Sequence, residues 1–171
     1  MEYQLQDKSQ GFSLVELLFG LSLLGFLLHL ALPAFSDWQA NTTLKGVTDN
    51  LNADLAHARS MAIKYQQDVY VDFNSTNTSW CYGINMGNTC NCAIPNSCKI
   101  DNASSVTSSS QYSNIQLKTQ LNSIKFEGVR GTADTNGSLT LENGNKLVTI
   151  NLNSLGQVSV CSKTVAGYYP C

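Results

Sequence analysis

The sequence is short of charge. Only 13% of its 171 residues are Asp, Glu, Lys or Arg, and the formal net charge is −2. No overall basic field exists to draw the chain onto nucleic acid or an acidic lipid surface, so anion recognition has to come from a local patch. Glycine-rich phosphate loops and dinucleotide fingerprints are absent, which removes the common nucleotide-binding classes. The nearest catalytic grouping is Asp54 with His57, three apart on a helical stretch. Neither has a nucleophile beside it in sequence, so the pair reads as decoration of a polar face and no enzyme is expected. The spacing of Cys81, Cys90, Cys92 and Cys98 matches no paired zinc knuckle, so neither a metal nor another cofactor is expected. Internal repeats are also lacking. The length suffices for one soluble domain and one membrane segment, and is too small for two full domains.

What is present begins with six cysteines, all far beyond the main apolar run. If that run delivers them across a membrane, they meet an oxidising compartment and form disulfides. Cys90 and Cys92 are too close to bridge each other comfortably, so each pairs elsewhere, with Cys81 and Cys98 as local candidates. Cys161 and Cys171 close a short step at the chain end, pinning a tail that otherwise frays. Such a loop contributes about 2–3 kcal/mol on the chain-entropy account.

Residues Met1 to Gln10 are polar, with Lys8 just ahead of Gly11, and then the character changes in one step. From Leu17 to Phe35 the clearly polar residues are Ser22 and His29. At ~1.5 Å per residue this helix crosses most of a bilayer core of ~30 Å. A secretory signal is disfavoured, because Glu2 and Asp7 precede the run and no small-residue cleavage site follows it. His29 reads as a side chain reaching water or a carbonyl near the interface. Pro33 removes one backbone hydrogen bond, so a kink or loosening is expected there. Beyond Trp38, Leu44, Val47, Leu51, Leu55, Ala58 and Ala62 fall on one stripe, opposite Asn41, Lys45, Asp49, Asn52 and Arg59. One helix from about Phe12 to Tyr65 is therefore half membrane span and half core element.

After Gln66 the period becomes two. Val69, Val71 and Phe73 face one way and Tyr70 and Asp72 the other, as in a half-buried strand. Further strands are expected at Trp80–Asn85, Ile115–Leu117, Ser123–Glu127, Ser138–Leu141, Lys146–Asn151 and Gln157–Cys161. Glu142-Asn143-Gly144-Asn145 reads as a hairpin turn, because Asn-Gly accepts positive φ cheaply. The Ser-, Asn- and Thr-rich stretch from Asp101 to Asn114 reads as a mobile surface loop.

The junction Gly11-Phe12-Ser13-Leu14-Val15-Glu16-Leu17-Leu18 resembles the leader junction of type IV pilins and of type II secretion pseudopilins. The resemblance implies that a prepilin peptidase cuts between Gly11 and Phe12 and methylates the new amine, giving N-methyl-Phe12. A carboxylate at the edge of an apolar span is costly unless paired. In the family the partner of the residue at the Glu16 position is the N-terminal amine of a neighbouring subunit. Pro33 also matches a proline common in that family.

Leu55-Ala56-His57-Ala58-Arg59-Ser60-Met61-Ala62-Ile63-Lys64, Trp80-Cys81-Tyr82-Gly83 and Asn153-Ser154-Leu155-Gly156-Gln157-Val158 resemble the minor pilin and pseudopilin group of FimU, FimT and GspH. The implied fold is α+β and pilin-like, a long N-terminal α-helix packed on antiparallel β-sheets. The implied organisation is a leader over 1–11, a transmembrane and filament-core helix over 12–35, and a periplasmic globular domain over 36–171. The implied role is that of a minor type IV pilin that primes or caps pilus assembly. It would sit in the bacterial inner membrane and then in the extracellular pilus, at its tip. The implied partners are other minor pilins, the major pilin, prepilin peptidase, the inner-membrane assembly platform and, before assembly, the membrane itself. The six cysteines favour this over the type II secretion pseudopilin of the H type, whose members usually have few. A FimT-like DNA-uptake pilin is a further alternative. Its Gly-Arg-x-Arg motif is missing from the tail after Cys161, which leaves Lys163 and Arg130 as possible DNA contacts.

Overall fold

The computed structural model describes residues 12–171 apart from Asn77, Thr78 and Ser113, and for residues 30–34 it describes the backbone alone. One helix, α1 (Leu14–Tyr65), runs through the first third of the chain. The chain divides into two compact units, Met1–Gln39 and Ala40–Cys171.

In the second unit α1 is a core element. Leu44, Val47, Leu51, Leu55, Ala58 and Ala62 are buried, together with Met61. The stripe expected from spacing is therefore the face that packs. Thr48 is also buried there, and its hydroxyl donates to the Leu44 carbonyl one turn back at 2.8 Å, which satisfies a group that burial would otherwise penalise.

The remaining chain forms β1 (Val69–Ser75), β2 (Trp80–Met86), β3 (Lys99–Ile100), β4 (Ala103–Ser104), β5 (Val106–Ser108), β6 (Gln116–Thr119), β7 (Ser123–Phe126), β8 (Gly137–Asn143), β9 (Lys146–Leu152) and β10 (Val158–Cys161). Two four-stranded sheets have the orders β5-β2-β1-β7 and β10-β9-β8-β6, while β3 and β4 make a small ribbon. Every pairing between named strands is antiparallel. One hydrophobic cluster joins α1 to Val69, Val71, Phe73, Ile124 and Phe126 of the first sheet and to Leu139, Leu141, Val148 and Ile150 of the second. The fold is α+β, a long helix packed on antiparallel sheets.

Two sequence expectations shift. The β8–β9 turn lies one residue later than the Asn-Gly reading puts it. Asn143 pairs with Lys146, leaving Gly144 and Asn145 as the loop, and Gly144 takes the positive φ of 60°. Positive φ at the first central residue is what a type II′ hairpin requires of glycine.

The stretch from Asp101 to Asn114 is not a free loop. Asp101 and Asn102 adopt φ of 48° and 64° to turn β3 into β4, β5 pairs with β2, and Ser109–Gln111 makes a 3-10 turn. Tyr112 then stacks 6.3 Å from Trp80 and receives a hydrogen bond from the Asn50 amide at 2.7 Å. Composition counted the polar side chains but missed the free edge of β2 that this backbone satisfies.

Cys81 bonds to Cys92 and Cys90 to Cys98, so two interlocked bridges fold the segment after β2 back onto the sheet. Gly83 lies beneath that knot, and a Cβ there would fall on the Cys98 sulfur. Cys161 bonds to Cys171, and the Ser162 amide donates to the Tyr169 carbonyl at 2.9 Å inside the loop so closed.

Candidate functional site

The first unit carries the strongest sequence signal. Gly11, one side of the expected cleavage point, and the rest of residues 1–11 lie outside the described residues. Phe12 is described and 81% exposed. Helix α1 opens directly after it, the Leu17 amide donating to the Ser13 carbonyl at 3.1 Å. Glu16 stands in the first turn, where unpaired amides and the helix dipole favour a negative charge. Among the described residues none forms an ion pair with Glu16.

The apolar side chains that follow, from Leu14 to Leu28, are exposed all round the helix, Phe19 and Phe26 among them. A large exposed apolar surface of this kind marks a contact site. His29 is exposed as well. Among the described residues no helix is long and apolar enough to cross a membrane. The apolar sequence continues through Leu30, Ala31 and Leu32, and the side chains of these residues and of Pro33 lie outside the described set. The backbone stays helical through Pro33.

In the second unit, polar residues on α1 hold the sheets. The Tyr82 hydroxyl donates to the Asp54 carboxylate at 2.7 Å and the Tyr168 hydroxyl to Asp49 at 3.1 Å. Burial, then the Asp49 hydrogen bond and charge, pushes the Tyr168 phenol up to about 12. Burial and the Asp54 charge raise Tyr82 further still. Asp54 is thus a structural acceptor, while its sequence neighbour His57 is exposed. Among the described residues no group of three or more His, Cys, Asp or Glu gathers as a metal site.

The two possible DNA contacts are not brought together. Arg130 precedes Gly131, which packs on Arg59 and Ile63 near the C-terminal end of α1. Lys163 lies in the tail loop, whose Gly167 approaches Lys45 and whose Tyr168 reaches Asp49. These helix positions are at least ten residues apart, or ~15 Å along the axis. Sequence reading did not single out Asp49, Asp54, Tyr82 and Tyr168 as tethers. The available signal was weak, no more than acids on the polar face of a helix, one tyrosine in a strand and another in the tail.

The chain matches the family described as Type II transport protein GspH over residues 47–156, and the Prokaryotic N-terminal methylation motif over residues 6–32. No curated protein sequence matches it. Among solved structures it is similar to the type IV minor pilin FimU of Pseudomonas aeruginosa strain PAO1. The TM-score is 0.51 at 17% identity, covering 68% of this chain and 87% of that one. A second crystal form of FimU gives a TM-score of 0.48 at 17% identity, covering 68% and 90%. The likeness to FimU is one of fold.

Proposed function

Because the chain belongs to the GspH family of pilin-like proteins, we propose that it is a minor type IV pilin that takes part in priming or capping pilus assembly. The observation that carries this reading is the contrast within α1. Its second half packs one face into its own domain, while the described apolar side chains of its first half are exposed from Leu14 to Leu28, as is Phe12 just before it. An apolar helix surface of that extent has to be covered by lipid or by other helices.

On this reading prepilin peptidase cuts between Gly11 and Phe12 and methylates Phe12. The helix then waits in the inner membrane with the globular domain in the periplasm, and next leaves lipid for a bundle of other pilin helices. Glu16 pairs with the terminal amine of a neighbouring subunit, which removes the cost of carrying either charge into that bundle. Pro33 marks the place where the helix loosens. The protein performs no catalysis and its partners are other pilins.

Mass spectrometry of the filament-associated protein tests the reading. The expected N-terminus is methylated Phe12, and an intact leader overturns it. A second reading, a subunit of the type II secretion filament, is supported by the family description. The three disulfides favour the pilus. Identifying the pilin-like proteins that co-purify with the cross-linked chain separates the two.

A further inference from the structure

The cations of the second unit fall into two groups. Lys118 pairs with Glu142, Lys125 with Asp68 and Arg130 with Glu127, while Lys64 lies over the Tyr65 ring and Arg59 donates to the Gly131 carbonyl. Among the described residues Lys45, Lys99, Lys146 and Lys163 make no ion pair or ring contact. Three of them, Lys45, Lys146 and Lys163, converge although they are far apart in sequence.

The tail loop after β10 builds the convergence. Leu147, next to Lys146 on β9, donates its amide to Thr164 Oγ1 at 2.7 Å and accepts from the Ser162 hydroxyl at 2.6 Å, which brings Lys146 beside Ser162-Lys163-Thr164. Further along the loop, a Cβ built on Gly167 would come within 3.2 Å of the Lys45 ammonium. The Cys161–Cys171 bridge closes the loop, and Tyr169 within it is 85% exposed. The nearby acids are engaged, Asp49 by the Tyr168 hydroxyl and Glu142 by Lys118. A chain of net charge −2 thus carries a local positive patch with an aromatic ring in it.

The place of the patch in the fold limits what it meets. The β8–β9 hairpin that carries Lys146 reaches back to the first residue of the second unit, the Asn143 amide lying 3.5 Å from the Ala40 carbonyl. Lys45 is only ~8 Å further along the helix axis. The patch therefore lies at the end where α1 enters the unit. In the chain, Ala40 follows directly on the apolar segment, which closes with the exposed aromatics Phe35 and Trp38. Aromatics and then lysines is the order in which a chain leaving a bilayer meets its interface and its headgroups.

We propose that Lys45, Lys146, Lys163 and Tyr169 dock the globular unit on anionic phospholipid headgroups before assembly. This docking presupposes the membrane-anchored state of the proposed function. Lysine ammoniums are point charges on flexible stems, suited to headgroup phosphates that hold no fixed geometry. The contacts are individually weak, so they release when the helix leaves lipid for a filament.

The test is amine acylation of the full chain reconstituted in vesicles, read residue by residue by mass spectrometry. Vesicles of phosphatidylcholine alone are compared with vesicles that also contain phosphatidylglycerol. At low ionic strength Lys45, Lys146 and Lys163 should react roughly fivefold more slowly on the anionic vesicles, with Lys99 on β3 reacting equally on both. Sodium chloride at about 1 M, where the Debye length is about 3 Å, should remove the difference. In Lys146→Gln with Lys163→Gln the slowing at Lys45 should fall below about twofold. Flotation with the neutral vesicles checks the anchor by itself. A chain that floats with them but reacts equally on the two lipids keeps its anchor and overturns the patch, while a chain that floats with neither overturns both. Equal slowing of Lys99 also overturns the patch, since it reports only the general field of the vesicle. So does protection of the three lysines by a single-stranded DNA oligonucleotide without protection by anionic lipid.

Discussion

The Tyr82 hydroxyl donates to Asp54 Oδ2 at 2.7 Å, tying the middle of β2 to the polar face of α1. Tyr82 is 2% exposed. The bond therefore fixes the helix against the sheet from beside the core. Removing the hydroxyl with Tyr82→Phe should cost about 1 kcal/mol, less than a fully buried bond to a charged group because half-exposed Asp54 can turn to water. Urea unfolding measures it, and an unchanged midpoint removes this bond from the list of stabilising contacts.

The same tethers set an alkaline limit. Tyr82 and Tyr168 both ionise above the ordinary tyrosine range in the folded chain, Tyr168 at about 12, mainly because burial disfavours the charged form. A folded pKa raised above the unfolded value means the stabilisation is complete below pH ~10 and is lost as pH climbs through the folded value. Stability should thus be flat from neutral pH to about 10 and fall above it. In Tyr168→Phe, absorbance titration at 295 nm should lose a step near pH 12.

Leu51 and Leu55 are both fully buried on α1. Leu51→Ala should destabilise the globular unit by about 2–5 kcal/mol, from lost transfer energy plus the cavity left behind. A loss below 1 kcal/mol in denaturant unfolding would show that the helix packs less tightly than the buried stripe indicates.

Gly156 takes φ of 72° in the turn between β9 and β10, where the Asn153 side chain accepts from the Leu155 and Gln157 amides. A Cβ there would land on the Gly131 carbonyl oxygen. Gly156→Ala should therefore cost more than ~1 kcal/mol, since it adds a backbone clash to the left-handed strain. A neutral result in thermal unfolding would mean that both turns shift freely.

Glu16→Ala should leave the disulfide-bonded domain folded, with its unfolding midpoint unchanged, while lowering incorporation into filaments at least tenfold. Immunoblotting of sheared filaments against whole cells reads the ratio. Normal incorporation removes Glu16 from the assembly step.

The sequence by itself determined the features that depend on local order. The 3.6-residue spacing from Leu44 to Ala62 specified the buried face, because a helix has one such face whatever it packs on. The alternation from Val69 to Phe73 fixed which side of β1 enters the core. The closeness of Cys90 and Cys92 forced each to seek another partner. The Gly11-Phe12 junction, written in consecutive residues, announced the family.

Only the tertiary structure decided what depends on distant chain segments. The polar stretch after Ile100 became ordered because β2 offered an open edge and Trp80 a ring to stack on. Asp54 became an acceptor because Tyr82 arrived opposite it. Lys163 and Arg130 were separated because each follows a different strand to a different level of α1. Asp72 carried no mark in the sequence beyond its place on a strand. It became a buried acceptor for the Cys90 amide when two disulfides folded the next loop over it, and burial is a property of the assembled surroundings.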